Sequence, residues 1–240
     1  MARLPPRSAR PSPGWRRVIS ALILISGGLD STVAASLYRA AGGVLSWGLF
    51  IDYGQRAVEQ EERAALAVGK ALGVDVLCTA VPLLGALAGN ALVDGKQALP
   101  HPGLGDLDGP EALASADAVW IPNRNGVLLN LAAAVAESYS LEVVVVGFNK
   151  EEAATFPDNS SDYLDSLNAC FAYSTRGSVR VESPTLEMSK IELYAAGMAV
   201  GAPLEVTWSC YDGGERPCGE CESCRRRSRA EQAYEASSGS

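Results

Sequence analysis

Apolar runs closed by turn residues alternate along the chain with stretches whose apolar positions recur every three or four residues. Val18 to Ile25 predicts a buried strand, and Ser31 to Ala41 a helix ended by Gly42-Gly43. Leu45 to Ile51 predicts a second strand, Val58 to Leu72 a helix closed by Gly73, and Val74 to Val81 a third strand. Further on come a helix over Gly126 to Tyr139, a strand over Glu142 to Gly147 and a helix over Ser161 to Tyr173. A short strand near Val179 to Val181 and a helix over Met188 to Val200 follow. Strands alternating with helices imply an α/β fold, a doubly wound parallel sheet covered by helices on both faces.

Between Pro82 and Ala118 the pattern loses its period in a stretch rich in Gly, Pro, Asp and Leu, and so long a connection is expected to be a lid or insertion. The 240 residues suit one domain with an appendage. The main α/β domain is expected over 17–206 and a C-terminal segment over 207–240. Residues 1–16 carry several Arg among Pro and Ser and superficially resemble a targeting peptide. Cleavage after the apolar run would remove the strand that leads into the most informative motif, so they read as a disordered leader.

Charge narrows the partners. With 20 basic and 28 acidic residues the formal charge is −8, which disfavours a general nucleic-acid binder and favours a small-molecule substrate. No apolar run approaches the roughly 18 residues of a membrane helix, so no membrane partner is expected.

At the exit of the first strand stands Ser26-Gly27-Gly28-Leu29-Asp30-Ser31-Thr32, where backbone N–H groups and a helix dipole gather an anion. The glycines let the backbone approach phosphate oxygens, and the hydroxyls of Ser26, Ser31 and Thr32 add donors. Asp30 is suited to magnesium. The motif lacks the Gly-Lys-Ser/Thr of a Walker loop and the Gly-x-Gly-x-x-Gly of a dinucleotide turn. It resembles the signature of the PP-loop ATP pyrophosphatases, which bind the pyrophosphate end of ATP and support adenylation of a substrate oxygen.

Four of the six cysteines crowd into Cys210, Cys218, Cys221 and Cys224, and two overlapping Cys-x-x-Cys turns have the spacing that wraps a tetrahedral zinc ion. Four sulfurs fill the shell, so a structural role is expected; an iron–sulfur cluster or a redox dithiol uses similar spacing. Clustered thiols of this kind point to a reducing, cytoplasmic compartment. His101 reads as a solvated loop residue, and Trp208 and Tyr211 as packing for the cysteine segment.

Taken together, the chain resembles the 7-cyano-7-deazaguanine synthase family over Val18 to Arg227. Beside the phosphate loop and the cysteines, the likeness rests on Asp52-Tyr53-Gly54-Gln55-Arg56, Ile121-Pro122-Asn123-Arg124-Asn125, Gly147-Phe148-Asn149, Phe156-Pro157-Asp158, Pro184 with Lys190, and Thr207-x-Ser209-Cys210-Tyr211. The resemblance implies a homodimer that uses ATP, Mg2+ and a structural Zn2+. Its substrates would be a deazapurine carboxylate and ammonia, joined through an adenylated carboxylate and an amide to a nitrile. It implies ATP binding by Ser26, Gly27, Gly28, Leu29, Asp30, Ser31 and Thr32, and catalytic roles for Asp30, Arg124 and Lys190. Substrate binding would fall to Tyr53, Gln55, Arg56, Arg124, Asn125, Phe156 and Asp158.

The likeness has gaps. Related bacterial sequences read Tyr-Pro-Asp-Cys-Arg where this chain has Phe156-Pro157-Asp158-Asn159-Ser160, and they often carry His where it has Ala57. A ligase that stops at the amide or uses another amine, a tRNA thiolase, and a non-catalytic nucleotide-binding module therefore stay open.

Overall fold

The computed structural model describes residues 19–238; the expected leader and Val18 lie outside them. Five parallel strands, β1 (Ser20–Leu24), β2 (Val44–Asp52), β3 (Asp75–Ala80), β4 (Val143–Val145) and β5 (Arg180–Glu182), line up in the order β3-β2-β1-β4-β5. The longer helices are α1 (Leu29–Ala40), α2 (Val58–Leu72), α5 (Arg124–Ser138), α7 (Ser161–Ser174), α8 (Lys190–Ala199) and α9 (Glu222–Ser238). Shorter ones are α3 (Pro82–Ala88), α4 (Pro110–Ala118) and α6 (Lys150–Ala153).

The alternation of β1 accounts for the two layers. Ala21 and Ile23 point into a core shared with α1 and α2 through Ala34, Ala35, Ala65 and Val68. Leu22, one residue out of phase, packs with Leu129 of α5 and Phe171 of α7 on the other face. Both faces of the central strands are thus dry, as a parallel sheet requires. Truncating the fully buried Leu129 to Ala would cost about 2–5 kcal/mol. No described helix is long and apolar enough to cross a membrane.

Strand order reverses between β1 and β4, and a crevice opens at their carboxyl ends, where open α/β sheets place their ligands. α2 keeps its expected bounds because Gly73 ends it in a left-handed conformation that glycine adopts without strain. β4 is shorter than the apolar run, although Glu142 and Val146 still donate backbone hydrogen bonds to Ser20 and Glu182. The aperiodic stretch 82–118 contains α3 and α4, each opened by a proline at its first turn. Leu84 and Leu92 from it pack with Tyr53, Val119 and Ile121.

Candidate active site

α1 begins two residues earlier than its periodicity suggests, so Asp30 and Ser31 lie in its first turn. Gly28 is the N-cap and has no side chain to satisfy the helix terminus. The first intrahelical bond is Thr32 N–H to Gly28 O, which leaves the N–H groups of Leu29, Asp30 and Ser31 ahead of the ladder. Two close approaches need glycine. A Cβ on Gly27, whose φ is positive, would come within 2.5 Å of Glu61 O. One on Gly147 would come within 2.5 Å of the Asp30 carbonyl carbon and Ser31 N. The end of β4 can therefore press against the start of α1.

Beside that helix terminus sits a carboxylate–ammonium cluster. Lys190, at the first position of α8, donates from Nζ to Asp30 Oδ2 at 2.6 Å and to Glu152 Oε1 at 3.0 Å. Glu152 comes from α6, which is capped by Asn149 Oδ1 accepting Glu152 N–H. The other Asp30 oxygen, Oδ1, is buried without a hydrogen-bond partner among the described residues. Burial, helped by the neighbouring Glu152 charge, raises the Asp30 carboxyl above its ordinary value against the pull of Lys190. Burial also opposes the Glu152 charge, but Lys190 and hydrogen bonds outweigh it and hold that carboxyl below its ordinary value. An orphaned carboxylate oxygen next to open N–H groups suits an oxygen-seeking cation that accompanies phosphate.

These groups line one cavity of about 250 Å3, together with Tyr53, Gln55 and Glu61 near α2, Arg124 and Asn125 of α5, and Phe156. The Arg124 guanidinium carbon lies 5.6 Å from the centroid of the Tyr53 ring, over its face. Such a cation is drawn to the ring quadrupole, and Arg124 Nη1 also donates to the Tyr53 hydroxyl at 3.5 Å. No carboxylate among the described residues forms a salt bridge with Arg124, although its neighbours keep it firmly charged. Burial lifts the Tyr53 hydroxyl to about 12. Gln55 Oε1 accepts Tyr53 N–H at 2.9 Å while its Nε2 donates to Glu61 Oε2 at 2.9 Å. Phe156 stacks on Trp120 with the two ring planes nearly parallel and adds a flat apolar wall.

The far wall comes from the C-terminal segment. Trp208, Ser209 and Tyr211 line the cavity, as do Glu222, Ser223 and Arg226 of α9. Trp208 and Tyr211 also pack against the cysteines, as expected. The four thiols lie with their sulfurs all within 4.8 Å of one another. That is close enough for four thiolates to share one tetrahedral ion. Backbone N–H groups of Asp212 and Cys218 donate to Cys210 Sγ, and those of Glu220 and Cys221 to Cys218 Sγ, an arrangement that favours anionic sulfur. The donor set fits a metal ion such as zinc.

A buried ion network ties this wall to the start of α8. Arg226 pairs with Glu222 at 2.9 Å and Glu151 at 2.8 Å, and donates to Leu107 O at 2.6 Å. Ser115 of α4 donates to Glu222 at 2.8 Å. Glu151 also accepts the Lys190 backbone N–H at 2.8 Å, so a single carboxylate links α9 to the start of α8.

Several residues singled out from the sequence stand off the cavity. Thr32 is fully buried and donates its hydroxyl to Gly28 O at 2.8 Å. Gly27 supports the loop from behind. Arg56 points to Asp212 at 2.6 Å and to the carbonyls of Ala91 and Gln97, fastening the cysteine segment to the 82–118 stretch. Asp158 is not among the lining residues; its carboxylate accepts from Asn159, which does line the cavity. His101 is half exposed and lies 3.5 Å from Glu220. Glu61, Glu152, Glu222 and Arg226 do not stand out in the sequence, because isolated acidic and basic positions on helices read as solvated.

The chain is similar to several known proteins. Residues 20–235 match the family model of the queuosine biosynthesis protein QueC. The 7-cyano-7-deazaguanine synthase of Methanosarcina mazei is 44% identical over 216 residues, covering 88% of this chain and 93% of that protein. Proteins of the same name from Pelotomaculum thermopropionicum and Desulforudis audaxviator are 44% and 42% identical, covering 87% and 88% of this chain and 95% and 96% of their own lengths. Among solved structures, the U34-tRNA thiolase NcsA from Methanococcus maripaludis superposes with a TM-score of 0.48 at 13% identity, covering 92% of this chain and 74% of that one.

Proposed function

The chain belongs to the 7-cyano-7-deazaguanine synthase family of ligase-type enzymes, and from that premise we propose that it uses ATP to convert 7-carboxy-7-deazaguanine and ammonia into the nitrile. The observation that carries this reading is the pairing of an open helix N-terminus, beside Lys190, with an Arg124 guanidinium that has no carboxylate partner, both in one cavity. The N-terminus suits the phosphates, and the planar guanidinium suits the substrate carboxylate.

In this reading a carboxylate oxygen attacks the α-phosphorus of ATP and pyrophosphate leaves toward the start of α1. There the N–H groups and Lys190 stabilise the charge that develops. Asp30, through its unpartnered Oδ1, would hold magnesium, which neutralises the leaving phosphates. Ammonia then forms a C–N bond at the acyl carbon as the bond to AMP breaks. Activation of the amide oxygen by a second ATP releases pyrophosphate, and departure of AMP with loss of both N–H protons gives the nitrile. Tyr53, Gln55, Asn125 and Phe156 enclose the ring, and Asp158 orients Asn159 behind it. Cys210, Cys218, Cys221 and Cys224 hold a structural zinc. A homodimer working in the cytoplasm completes the expectation.

The test incubates the protein with magnesium-ATP, 7-carboxy-7-deazaguanine and ammonium, and follows acid, amide and nitrile by mass together with AMP and ADP. Nitrile with AMP is the expected result. Amide alone would favour a ligase that stops halfway, a reading drawn from Asn159 standing in the wall where the family resemblance leads one to expect Cys. An unchanged acid would overturn both.

A further inference from the structure

The charges lining the cavity are nearly all paired. Asp30 and Glu152 share Lys190, and Glu222 holds Arg226. Two groups are left over among the described residues: the Arg124 cation, which the proposed function uses for an anionic substrate, and the Glu61 carboxylate. Glu61 forms no salt bridge with any described cation. Its Oε2 accepts Gln55 Nε2–H at 2.9 Å, and Gln55 is itself fixed by accepting Tyr53 N–H. No hydrogen bond to a described residue engages Oε1. An anchored carboxylate with one free oxygen at a cavity wall is suited to a small cation.

The reaction class requires such a partner. Near neutral pH free ammonia is almost wholly ammonium, which has no lone pair and must lose a proton before it can attack. The two unpaired charges of the cavity thus match the two substrates in sign. We propose that Glu61 captures ammonium in the cavity and accepts a proton from it, delivering ammonia to the activated carboxyl carbon. This rests on the carboxylate-activation reading above.

One ammonium N–H bond breaks, and its proton passes to Glu61 Oε1. The freed lone pair forms the C–N bond, and the acyl C–O bond breaks with its electron pair leaving on AMP. The second surplus N–H proton departs to solvent. Burial, resisted by the Gln55 hydrogen bond and Arg124 and aided by Asp52, pushes the Glu61 carboxyl up to about 7, which suits a base working near neutrality. The groups that face it are Gln55, Asp52 and Tyr53 from the end of β2 and its following turn, and Arg124 from α5.

Glu61→Gln keeps the size and the contact to Gln55 but removes the base. Two rates are compared with wild type: carboxylate-dependent exchange of labelled pyrophosphate into ATP, which needs no ammonia, and amide formation as ammonium chloride is varied. The expected result is a loss of about 100-fold or more in kcat/KM for ammonium, while exchange falls by less than about 5-fold. The acidic limb near pH 7 in the wild-type profile for ammonium should disappear in the variant. Equal losses in both rates would assign Glu61 to the deazapurine or to folding and overturn the proposal. So would ammonium use within about 3-fold of wild type. A wild type that exchanges no pyrophosphate would overturn the activation reading itself, whereas a wild type that exchanges normally beside an unaffected variant would overturn only the role of Glu61.

Discussion

The segments 26–32 and 208–226 each contribute residues to the same cavity and meet where Trp208 N–H donates to Gly27 O at 2.9 Å, yet they are held by different means. The first wall is contiguous: a buried strand delivers the chain, two glycines bend it, and a helix whose N-cap offers no side chain receives it. Its stability is that of the sheet and of α1. The second wall has no strand and little apolar content. It is held by four thiols suited to a metal, by Arg56 reaching Asp212, and by the buried pairs of Glu222, Arg226 and Glu151. The wall proposed for phosphate chemistry and the wall proposed to enclose the second substrate therefore depend on separate stabilising elements, which should fail separately.

The largest expected effect comes from the first wall. Asp30→Ala should lower kcat by about 1,000-fold or more in the product assay, because it removes the proposed magnesium ligand and leaves Lys190 with one partner. Thermal unfolding should change little by comparison. Full activity in this variant would break the account of that wall.

Next comes the metal. Chelation, or Cys221→Ser, should cost about 100-fold in activity, with amide hydrogen exchange accelerated over 207–238 and protection retained in β1 and α1. Exchange that accelerates equally across the sheet would show that the two walls are not independent.

Glu151→Gln tests the tie between them. It weakens the contacts to Arg226 and Arg229 while keeping a group that can accept Lys190 N–H. Leaving the two guanidiniums short of a buried counter-charge should lower stability by about 3 kcal/mol in denaturant unfolding, with a roughly 10-fold loss in kcat. Unchanged stability would mean that the network does not hold the wall.

The smallest effect is on pH. Glu61 rises from an ordinary 4.5 to about 7 in the folded protein because burial disfavours its charge. The folded state therefore binds that proton more tightly than the unfolded one. The resulting stability is fully present below about pH 4.5 and is lost as pH rises through about 7. Glu61→Gln should accordingly be more stable than wild type at pH 8, by an amount on the order of 1–3 kcal/mol, and the gap should close by about pH 4. A pH-independent gap would contradict a carboxyl whose charge is disfavoured by burial at this position.

Legibility follows the same division. Alternating runs imply the parallel sheet, and the phosphate loop is readable because Ser26, Gly27, Gly28, Asp30 and Ser31 are neighbours in sequence. The cysteine cluster is readable from spacing alone. Lys190 comes forward through family likeness, but its partner Glu152 does not, since α6 is a single helical turn with no apolar period to announce it. Glu61 hides among Glu59, Gln60 and Glu62 on a helix whose polar face looks solvated. The helices of 82–118 escape the pattern because α3 is only seven residues long and apolar throughout, while α4 is rich in Ala, so neither shows a polar face set against an apolar one. Ser160, where the family resemblance leads one to expect Arg, is the N-cap of α7, with its Oγ accepting Tyr163 N–H at 3.2 Å. That role is legible only once the helix start is known.

Whether this cavity adenylates a carboxylate can be answered by oxygen tracing. With 7-carboxy-7-deazaguanine labelled with 18O in both carboxylate oxygens, the expected outcome is that each turnover to nitrile places one label in each of two AMP molecules and none in inorganic phosphate. Label in phosphate, or AMP without label, would contradict it.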